Sequence, residues 1–226
     1  MTGSPFDCWY RLGQVLARIF IPTFGSIRVM GREHVPRAGP LIIVANHQSN
    51  ADPPVMVYAI PRAVFFMAKR SLFWGPVISY LLRSVHVYPV DRDGRDMDAL
   101  RWAQRTLDSG KALLIFPEGT RSPGALRKAT DGLAYLALSS GAPILPVAMT
   151  GTERIRGMFC IAFHFQRLRV TIGEPFTLLR GEGRLDRAQL QAATGEVMKR
   201  IAELLPPEYR GAYAGSADGT ETGERA

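Results

Sequence analysis

The chain has 226 residues, of which 46% are hydrophobic and 21% are charged, and this composition excludes a mainly disordered or fibrous protein. Its length suits one substantial domain with appendages better than two domains. The formal net charge of +8 indicates an anionic partner and leaves nucleic acid, an anionic membrane and a phosphorylated small molecule open.

The first predicted element is an amphipathic helix over residues 6–20. Large apolar residues recur at helical spacing on one side, with polar residues opposite, namely Trp9, Leu12, Leu16, Ile19 and Phe20 against Arg11, Gln14 and Arg18. Such a helix can lie on the surface of an anionic bilayer, or it can turn its apolar side onto its own domain. The pattern alone does not separate these two alternatives.

Strand and helix patterns then alternate along the chain. Short apolar runs predict strands at residues 27–30, 41–44, 64–67, 86–90, 112–116, 144–149 and 168–172. Helical periodicity predicts helices at residues 52–59, 73–82, 97–108, 126–139 and 186–205. This alternation predicts a single α/β domain with a largely parallel or mixed central sheet flanked by helices.

The chain divides into three segments. Residues 1–26 hold the amphipathic helix, residues 27–211 form the main domain, and residues 212–226 are predicted to be a disordered tail because they contain little to bury. The first residues lack the basic and apolar regions of a secretory signal, and Cys8 and Cys160 form no CxxC motif. We therefore expect a cytoplasmic protein with reduced thiols.

A histidine and an acid follow the second predicted strand. His47 and Asp52 lie in a polar loop at the strand end where open α/β sheets bind ligands. On its own Asp52, which precedes a proline, is a good helix N-cap, and His47 alone could be structural or on the surface. As a pair, the acid can accept a hydrogen bond from one ring nitrogen and leave the other nitrogen as a proton acceptor. Such a general base suffices when an alcohol attacks an activated thioester.

A second polar segment follows the fifth predicted strand and reads Phe-Pro-Glu-Gly-Thr-Arg-Ser over residues 116–122. Gly119 lets the backbone approach a ligand, and Thr120 and Ser122 can donate hydrogen bonds. Arg121 can bind a phosphate with two parallel hydrogen bonds. The alternative interpretation is a simple strand-to-helix turn with a surface arginine.

Together these segments resemble the lysophosphatidic acid acyltransferase family of glycerolipid synthesis. The resemblance covers roughly residues 27–175. It rests on four ordered blocks and a lysine-bearing stretch between the first two, namely residues 46–52, 87–92, 116–122 and 144–148, and residues 66–73. Four blocks in the family's order are a specific signal, whereas any one of them would not be.

The resemblance implies that His47 is the general base and that Asp52 orients it. It also implies a set of residues that bind the phosphate-bearing acceptor, namely Lys69, Arg92, Glu118, Gly119, Thr120 and Arg121. A phosphate held beside arginine and lysine would fix the free hydroxyl close to His47. We expect Pro146, in the fourth block, to be structural, and we assign the other histidines to structure or surface, namely His34, His86 and His164.

The function that the resemblance implies is transfer of a fatty acyl group from acyl-CoA or an acyl carrier protein to the sn-2 hydroxyl of 1-acylglycerol-3-phosphate. The product would be phosphatidic acid, and we expect no metal ion, redox cofactor or covalent intermediate. An acyltransferase for another lysolipid or glycolipid, and a non-catalytic lipid-binding protein of this fold, are the alternatives. The scattered arginines and the lack of a recognition motif disfavour nucleic acid. We expect peripheral attachment to an anionic membrane surface, the inner face of the cell membrane.

Overall fold

The computed structural model describes residues 5–23, 25–91, 96–155, 165–179 and 185–217. Within these residues one sheet contains the strands β1 (Ser26–Met30), β2 (Leu41–Ala45), β3 (Val64–Lys69), β4 (Val87–Val90), β5 (Ala112–Ile115), β6 (Ile144–Thr150) and β7 (Arg167–Ile172). The helices are α1 (Pro5–Thr23), α2 (Asp52–Ala59), α3 (Gly75–Ser84), α4 (Met97–Asp108), α5 (Gly132–Ser140), α6 (Arg187–Leu204) and the short α7 (Ala214–Ala217). The predicted α/β domain is confirmed.

The sheet is mixed, with strand order β1-β7-β6-β2-β5-β3-β4. The five strands β6, β2, β5, β3 and β4 are parallel to one another. β7 runs antiparallel to β6, and β1 runs parallel to β7. The carboxyl ends of β6, β2, β5, β3 and β4 therefore meet at one edge of the sheet, which we call the carboxyl edge. The predicted site residues that the structure describes follow β2, end β3 or follow β5, and so they belong to this edge.

Helices cover both faces of the sheet. On one face Leu41 and Ile43 pack with residues of α1, α2 and α3, and on the other face Ile42 and Val44 pack with residues of α4, α5 and α6. β2 is buried along its whole length because both of its faces are covered, which explains its unbroken apolar run. None of the described helices is long and apolar enough to cross a membrane.

α1 packs on the domain through its less apolar side. Tyr10 and Ile21 are buried, and Gln14 Nε2 donates hydrogen bonds to two backbone carbonyl oxygens at the end of α2. The Tyr10 hydroxyl accepts a hydrogen bond from the backbone N–H of Val64 at 3.0 Å, and burial raises the pKa of Tyr10 to about 12. The predicted apolar side faces away from the domain, with 41–54% exposure at Trp9, Leu12, Leu16, Ile19 and Phe20. The alternative in which this side covers the domain is therefore wrong.

α5 begins later than predicted, because Leu126 pairs with the C-terminal segment instead of entering the helix. The N–H of Leu126 donates to the carbonyl oxygen of Tyr209, and the N–H of Ala212 donates to the carbonyl oxygen of Leu126, both at 3.0 Å. The side chain of Leu126 is buried. The preceding residues, from the end of β5 onward, therefore form a long loop at the carboxyl edge.

The same pairing makes the predicted disorder wrong for residues 212–217. This stretch contains a 3-10 turn and α7, and the hydroxyl of Tyr213 accepts a hydrogen bond from the N–H of Ala129 at 3.3 Å. The compositional prediction missed these contacts because the partner residues are remote in sequence. Residues 218–226 lie outside the described part of the chain.

Pro146 lies in the central strand β6 and has a structural place there. Its carbonyl oxygen accepts a hydrogen bond from the N–H of Gly173 at 2.9 Å, just beyond the end of β7. In a strand the backbone nitrogen and the carbonyl oxygen of one residue point to the same side, so the nitrogen of Pro146 also faces Gly173. Because β7 ends at Ile172, the missing N–H of the proline removes no hydrogen bond between paired strands. A Cβ atom at Gly173 would lie only 3.0 Å from Cγ of Pro146, and glycine avoids this crowding.

Candidate active site

His47 and Asp52 meet in the loop between β2 and α2, at the carboxyl edge. The Nδ1 atom of His47 lies 2.7 Å from Oδ2 of the fully buried Asp52. Because a carboxylate oxygen only accepts hydrogen bonds, Nδ1 carries the proton and Nε2 is the free acceptor. Nε2 has no hydrogen-bond partner among the described residues, and the imidazole stacks on the ring of Phe116 at 4.2 Å between centroids. The geometry thus suits a general base.

The carboxylate of Asp52 holds the loop as well as the imidazole. Its Oδ2 also accepts hydrogen bonds from the backbone N–H groups of Gln48 at 2.6 Å and Ser49 at 2.9 Å. Asp52 is the first residue of α2, whereas the N-cap position belongs to Ala51 and has no side-chain cap. The alternative that Asp52 acts as an N-cap is therefore wrong, because its carboxylate contacts the loop that precedes the helix.

Two amide side chains attach this loop to the neighbouring strand β6. Asn46 donates from Nδ2 to the carbonyl oxygen of Met149 at 2.9 Å and accepts at Oδ1 from the N–H of Met149 at 2.7 Å. Gln48 also donates from Nε2 to this carbonyl oxygen. Both amide residues are buried, and sequence analysis gave them no role. Their position directly after a buried strand was the available signal, since buried polar groups are normally hydrogen-bonded.

Glu118 supports His47 from the segment after β5. Its Oε1 accepts the backbone N–H of His47 and its Oε2 accepts that of Arg127, each at 2.9 Å. The N–H of Ser122 donates to the carbonyl oxygen of His47 at 2.6 Å, so both backbone groups of His47 are bonded to this segment. Glu118 is buried, and its carboxylate would repel a phosphate. The structure gives Glu118 a supporting position beside His47, and its predicted contact with the acceptor stays a prediction.

Lys69 and Arg121 supply positive charge at the carboxyl edge. Lys69 is the last residue of β3, Arg121 lies in the loop after β5, and both are exposed, as is the neighbouring Thr120. Neither cation forms an ion pair with a described residue, so both charges are available to an anionic ligand. Gly119 has a φ of +67°, which allows the chain to turn there. Arg92 lies outside the described residues.

The sequence model of the acyltransferase family matches residues 26–150, more than half of the chain. The chain belongs to the acyltransferase family. The matched region contains the loop of His47 and Asp52 and the segment of Glu118 and Arg121. The resemblance to the lysophosphatidic acid acyltransferases of this family is confirmed by the relatives that follow.

The 1-acyl-sn-glycerol-3-phosphate acyltransferase of Bacillus subtilis is 26% identical over 188 residues, which is 83% of this chain and 92% of that protein. The human 1-acyl-sn-glycerol-3-phosphate acyltransferase alpha is 32% identical over 132 residues, 56% of this chain and 46% of the human one. The chain spans about half the length of the human relative and of several plant relatives.

A solved structure shares this fold. The crystal structure of the 1-acyl-sn-glycerophosphate acyltransferase from Thermotoga maritima superimposes with a TM-score of 0.64 at 28% identity. The match covers 86% of this chain and 77% of that one. The acyltransferase fold therefore extends over most of this chain, beyond the residues that the family model matches.

Two other histidines of this acyltransferase, His34 and His86, lie apart from the dyad. His34 Nδ1 lies 2.9 Å from the carbonyl oxygen of Ile172, at the end of the sheet opposite the carboxyl edge. His86 is stacked between two aromatic rings with centroids 4.8 Å and 4.1 Å away. His164 and Cys160 lie outside the described residues. Across the described ranges, no group of three His, Cys, Asp or Glu side chains could hold a metal ion.

Proposed function

We propose that this acyltransferase moves a fatty acyl group from acyl-CoA or an acyl carrier protein to the sn-2 hydroxyl of 1-acylglycerol-3-phosphate, giving phosphatidic acid for phospholipid biosynthesis. The observation that carries the proposal is the 2.7 Å contact between His47 Nδ1 and Asp52 Oδ2 at the same edge as Lys69 and Arg121, neither of which pairs with an acid among the described residues. The names of the bacterial and human relatives support the same acceptor.

In the proposed reaction, Nε2 of His47 removes the proton from the hydroxyl as its oxygen attacks the thioester carbonyl carbon. The C–O ester bond forms, the C–S bond breaks, and the imidazolium returns the proton to the leaving sulfur. Asp52 keeps Nδ1 protonated and stabilises the imidazolium. Transfer without a covalent acyl-enzyme intermediate is supported by the hydrogen bonds of His47, since no described serine or cysteine side chain bonds to its imidazole. These steps need no metal ion or redox cofactor.

The acceptor phosphate binds to Lys69 and Arg121 in this proposal, with Arg92 as a third predicted cation. A phosphate monoester carries about −1.5 to −2 charge at neutral pH, and arginine can donate two parallel hydrogen bonds to it. The phosphate lies at one end of the glycerol backbone and the hydroxyl near its middle. Binding the phosphate therefore holds the hydroxyl close to Nε2 of His47 and lowers the entropy cost of the reaction.

Membrane attachment is proposed through α1 and α3, which pack against each other. Trp74 and Val77, at the start of α3, are 71% and 68% exposed, and they add to the exposed apolar side of α1. We define the α1–α3 surface as the exposed apolar side of α1 together with Leu72, Trp74, Val77, Tyr80 and Leu81. Arg11 and Arg18 on α1 are exposed and suit anionic head groups at the inner face of the membrane. A short turn joins Lys69 to α3, so this surface is adjacent to the proposed phosphate site.

The acceptor is tested by giving the purified protein palmitoyl-CoA and a panel of acceptors and measuring the release of free thiol. We expect fastest turnover with 1-acylglycerol-3-phosphate, slower turnover with lysolipids that carry a larger head group, and the slowest with monoacylglycerol. Arg121→Ala and Lys69→Ala should each raise the KM for 1-acylglycerol-3-phosphate about tenfold, since a hydrogen bond to a charged group contributes about 1.5–3 kcal/mol. Both variants should leave turnover of monoacylglycerol unchanged.

Arg70→Ala is the matched control, because Arg70 is next to Lys69 but is already paired with Asp91 at 2.7 Å. This variant should keep the KM of the unmodified protein. An equal loss with phosphate-free acceptors would remove the proposed role of the two cations. Preference for another lysolipid would change the acceptor while leaving the acyl-transfer chemistry in place.

A further inference from the structure

Three arginines share one exposed face at the β1 end of the sheet. Arg28 of β1 is the Cα partner of Arg169 of β7, and Arg167 lies two residues before Arg169, on the same side of the strand. All three are exposed. We call this set the arginine face. Directly opposite like charges weaken a pair of strands, so the pairing of Arg28 with Arg169 is unfavourable for folding.

The arginine face lies on the side of the sheet away from α1. Leu168 and Val170 alternate with the arginines along β7 and are buried in the core that α1, α2 and α3 cover. The arginines therefore occupy the opposite face, the one that α4, α5 and α6 cover farther along the sheet. The α1–α3 surface and the arginine face cannot lie flat on the same membrane.

No described group neutralises these charges. Within the described residues, none of the three arginines takes part in an ion pair, a cation–π contact or a side-chain hydrogen bond. The nearby Glu153 is engaged elsewhere, since it accepts hydrogen bonds from the N–H of Gly151 and the hydroxyl of Tyr209 and lies 3.6 Å from Arg154. The arginine face is thus a cluster of positive charge that no residue of the described part of the chain pairs with.

The cluster is close to the site of acyl transfer. Arg169 is in register with Thr150, the last residue of β6, and β6 is the neighbour of β2, which leads into His47. Two strand spacings, about 10 Å, therefore separate the strand of Arg169 from that of His47. A partner bound at the arginine face can deliver a thioester to the carboxyl edge on a flexible arm.

We propose that the arginine face docks an acidic carrier protein that presents the fatty acyl thioester, so that the donor arrives from the side opposite the membrane. This proposal rests on the proposed function, whose donor it specifies. Its three arginines are exposed and spread over two strands, which suits an acidic protein surface better than the phosphates of a nucleotide. Complementary charge of this kind mainly accelerates association.

The test compares the unmodified protein with the triple variant Arg28→Gln, Arg167→Gln and Arg169→Gln. Removing opposed like charges should not impair folding, so the variant remains measurable. The matched control removes the same charge from three exposed arginines elsewhere that form no ion pair with another described residue, in the triple variant Arg37→Gln, Arg105→Gln and Arg187→Gln. Binding of purified acyl carrier protein is measured without turnover, and kcat/KM is measured with palmitoyl-acyl carrier protein and with palmitoyl-CoA at low ionic strength.

We expect the arginine-face variant to lose about tenfold or more in carrier-protein binding and in kcat/KM for the carrier-protein donor. Its kcat/KM for palmitoyl-CoA should stay within about twofold, and the control variant should match the unmodified protein. The proposal would be overturned if the arginine-face variant lost kcat/KM equally with both donors, or if it bound carrier protein as the unmodified protein does. Weaker binding to anionic vesicles with unchanged binding of carrier protein would also overturn it. Turnover of palmitoyl-CoA by the unmodified protein tests the proposed function separately, because carrier binding is measured without turnover.

Discussion

The position of the His47 imidazole depends on bonds to three residues in two segments, the start of α2 and the loop after β5. Asp52 holds Nδ1, Glu118 accepts the backbone N–H, and Ser122 donates to the backbone carbonyl oxygen. The adjacent Asn46 is paired with β6. Catalytic groups must stay within about 0.5 Å of their productive position, so these buried bonds affect the rate as well as the stability.

Glu118→Gln tests the supporting role of this carboxylate. The new amide places an NH₂ group against the backbone N–H of either His47 or Arg127, so one buried donor loses its acceptor. We expect the free energy of unfolding to fall by about 1–3 kcal/mol. We expect kcat to fall about 10- to 100-fold because the imidazole is displaced, with the acceptor KM changed by less than about threefold.

Glu153→Gln is the control for this prediction, because Glu153 also accepts two hydrogen bonds, at 2.8 Å and 2.9 Å, but does not contact His47. It should lower stability less than Glu118→Gln does, because the hydroxyl of Tyr209 can accept a hydrogen bond from the new amide, and it should leave kcat unchanged. A higher acceptor KM with intact kcat in Glu118→Gln would contradict the supporting role and favour direct contact with the acceptor.

At the scale of elements, α1 and α3 expose apolar side chains that a folded domain normally buries. Leu12 of α1 and Val77 of α3 are 47% and 68% exposed. Neither side chain belongs to the buried core, so replacing both with Glu leaves the core packing intact. We expect stability to change by less than about 0.5 kcal/mol. Binding to vesicles that contain anionic lipid should weaken on the order of tenfold for each side chain, measured by cosedimentation.

The control pair is Met97→Glu with Tyr135→Glu, on α4 and α5, where the exposed fractions are 50% and 42%. These helices cover the other face of the sheet, and the substitutions should leave vesicle binding unchanged. Equal loss in both pairs would contradict the attachment of α1 and α3 to the membrane. A change of oligomeric state in Leu12→Glu with Val77→Glu, measured by sedimentation, would assign the surface to a second copy of the chain.

Local sequence signals were sufficient for most elements. The unbroken apolar run of β2 reflects burial on both faces, and the helical spacing of apolar residues in α4 reflects burial on one side. Both patterns are visible in the local sequence. The start of α5 was not predictable from periodicity, because Leu126 has an apolar side chain that suits a helix but pairs with Tyr209, which is remote in sequence. Amphipathicity identified α1 but not its orientation, which depends on hydrogen bonds of Tyr10 and Gln14 to distant backbone.

The same distinction applies to the site. The pairing of His47 with Asp52 was predictable because a short loop joins the two residues. The bonds of Glu118 to His47 and of Asn46 to Met149 join residues that are 71 and 103 positions apart, and no local spacing records them. The arginine face was also unpredictable, because it requires the register between β1 and β7.

At the scale of the whole molecule, the sheet separates the three proposed functions. The carboxyl edge holds the proposed base and the proposed phosphate-binding cations, the α1–α3 surface lies on one side, and the arginine face lies on the other. The C-terminal segment joins the loop after β5 to the end of β6, through Leu126 and through the hydrogen bond of Tyr209 to Glu153 at 2.9 Å. This arrangement allows the lipid acceptor and the thioester donor to approach from opposite sides.

The central claim is that His47 is the general base, and the most direct measurement is the rate of thiol release by His47→Ala with 1-acylglycerol-3-phosphate and palmitoyl-CoA. His34→Ala is the matched control, because His34 bonds to backbone at the opposite end of the sheet. The account predicts a loss of about a hundredfold or more in kcat for His47→Ala, with unchanged acceptor binding and a normal rate for the control. A rate for His47→Ala close to that of the unmodified protein would contradict it.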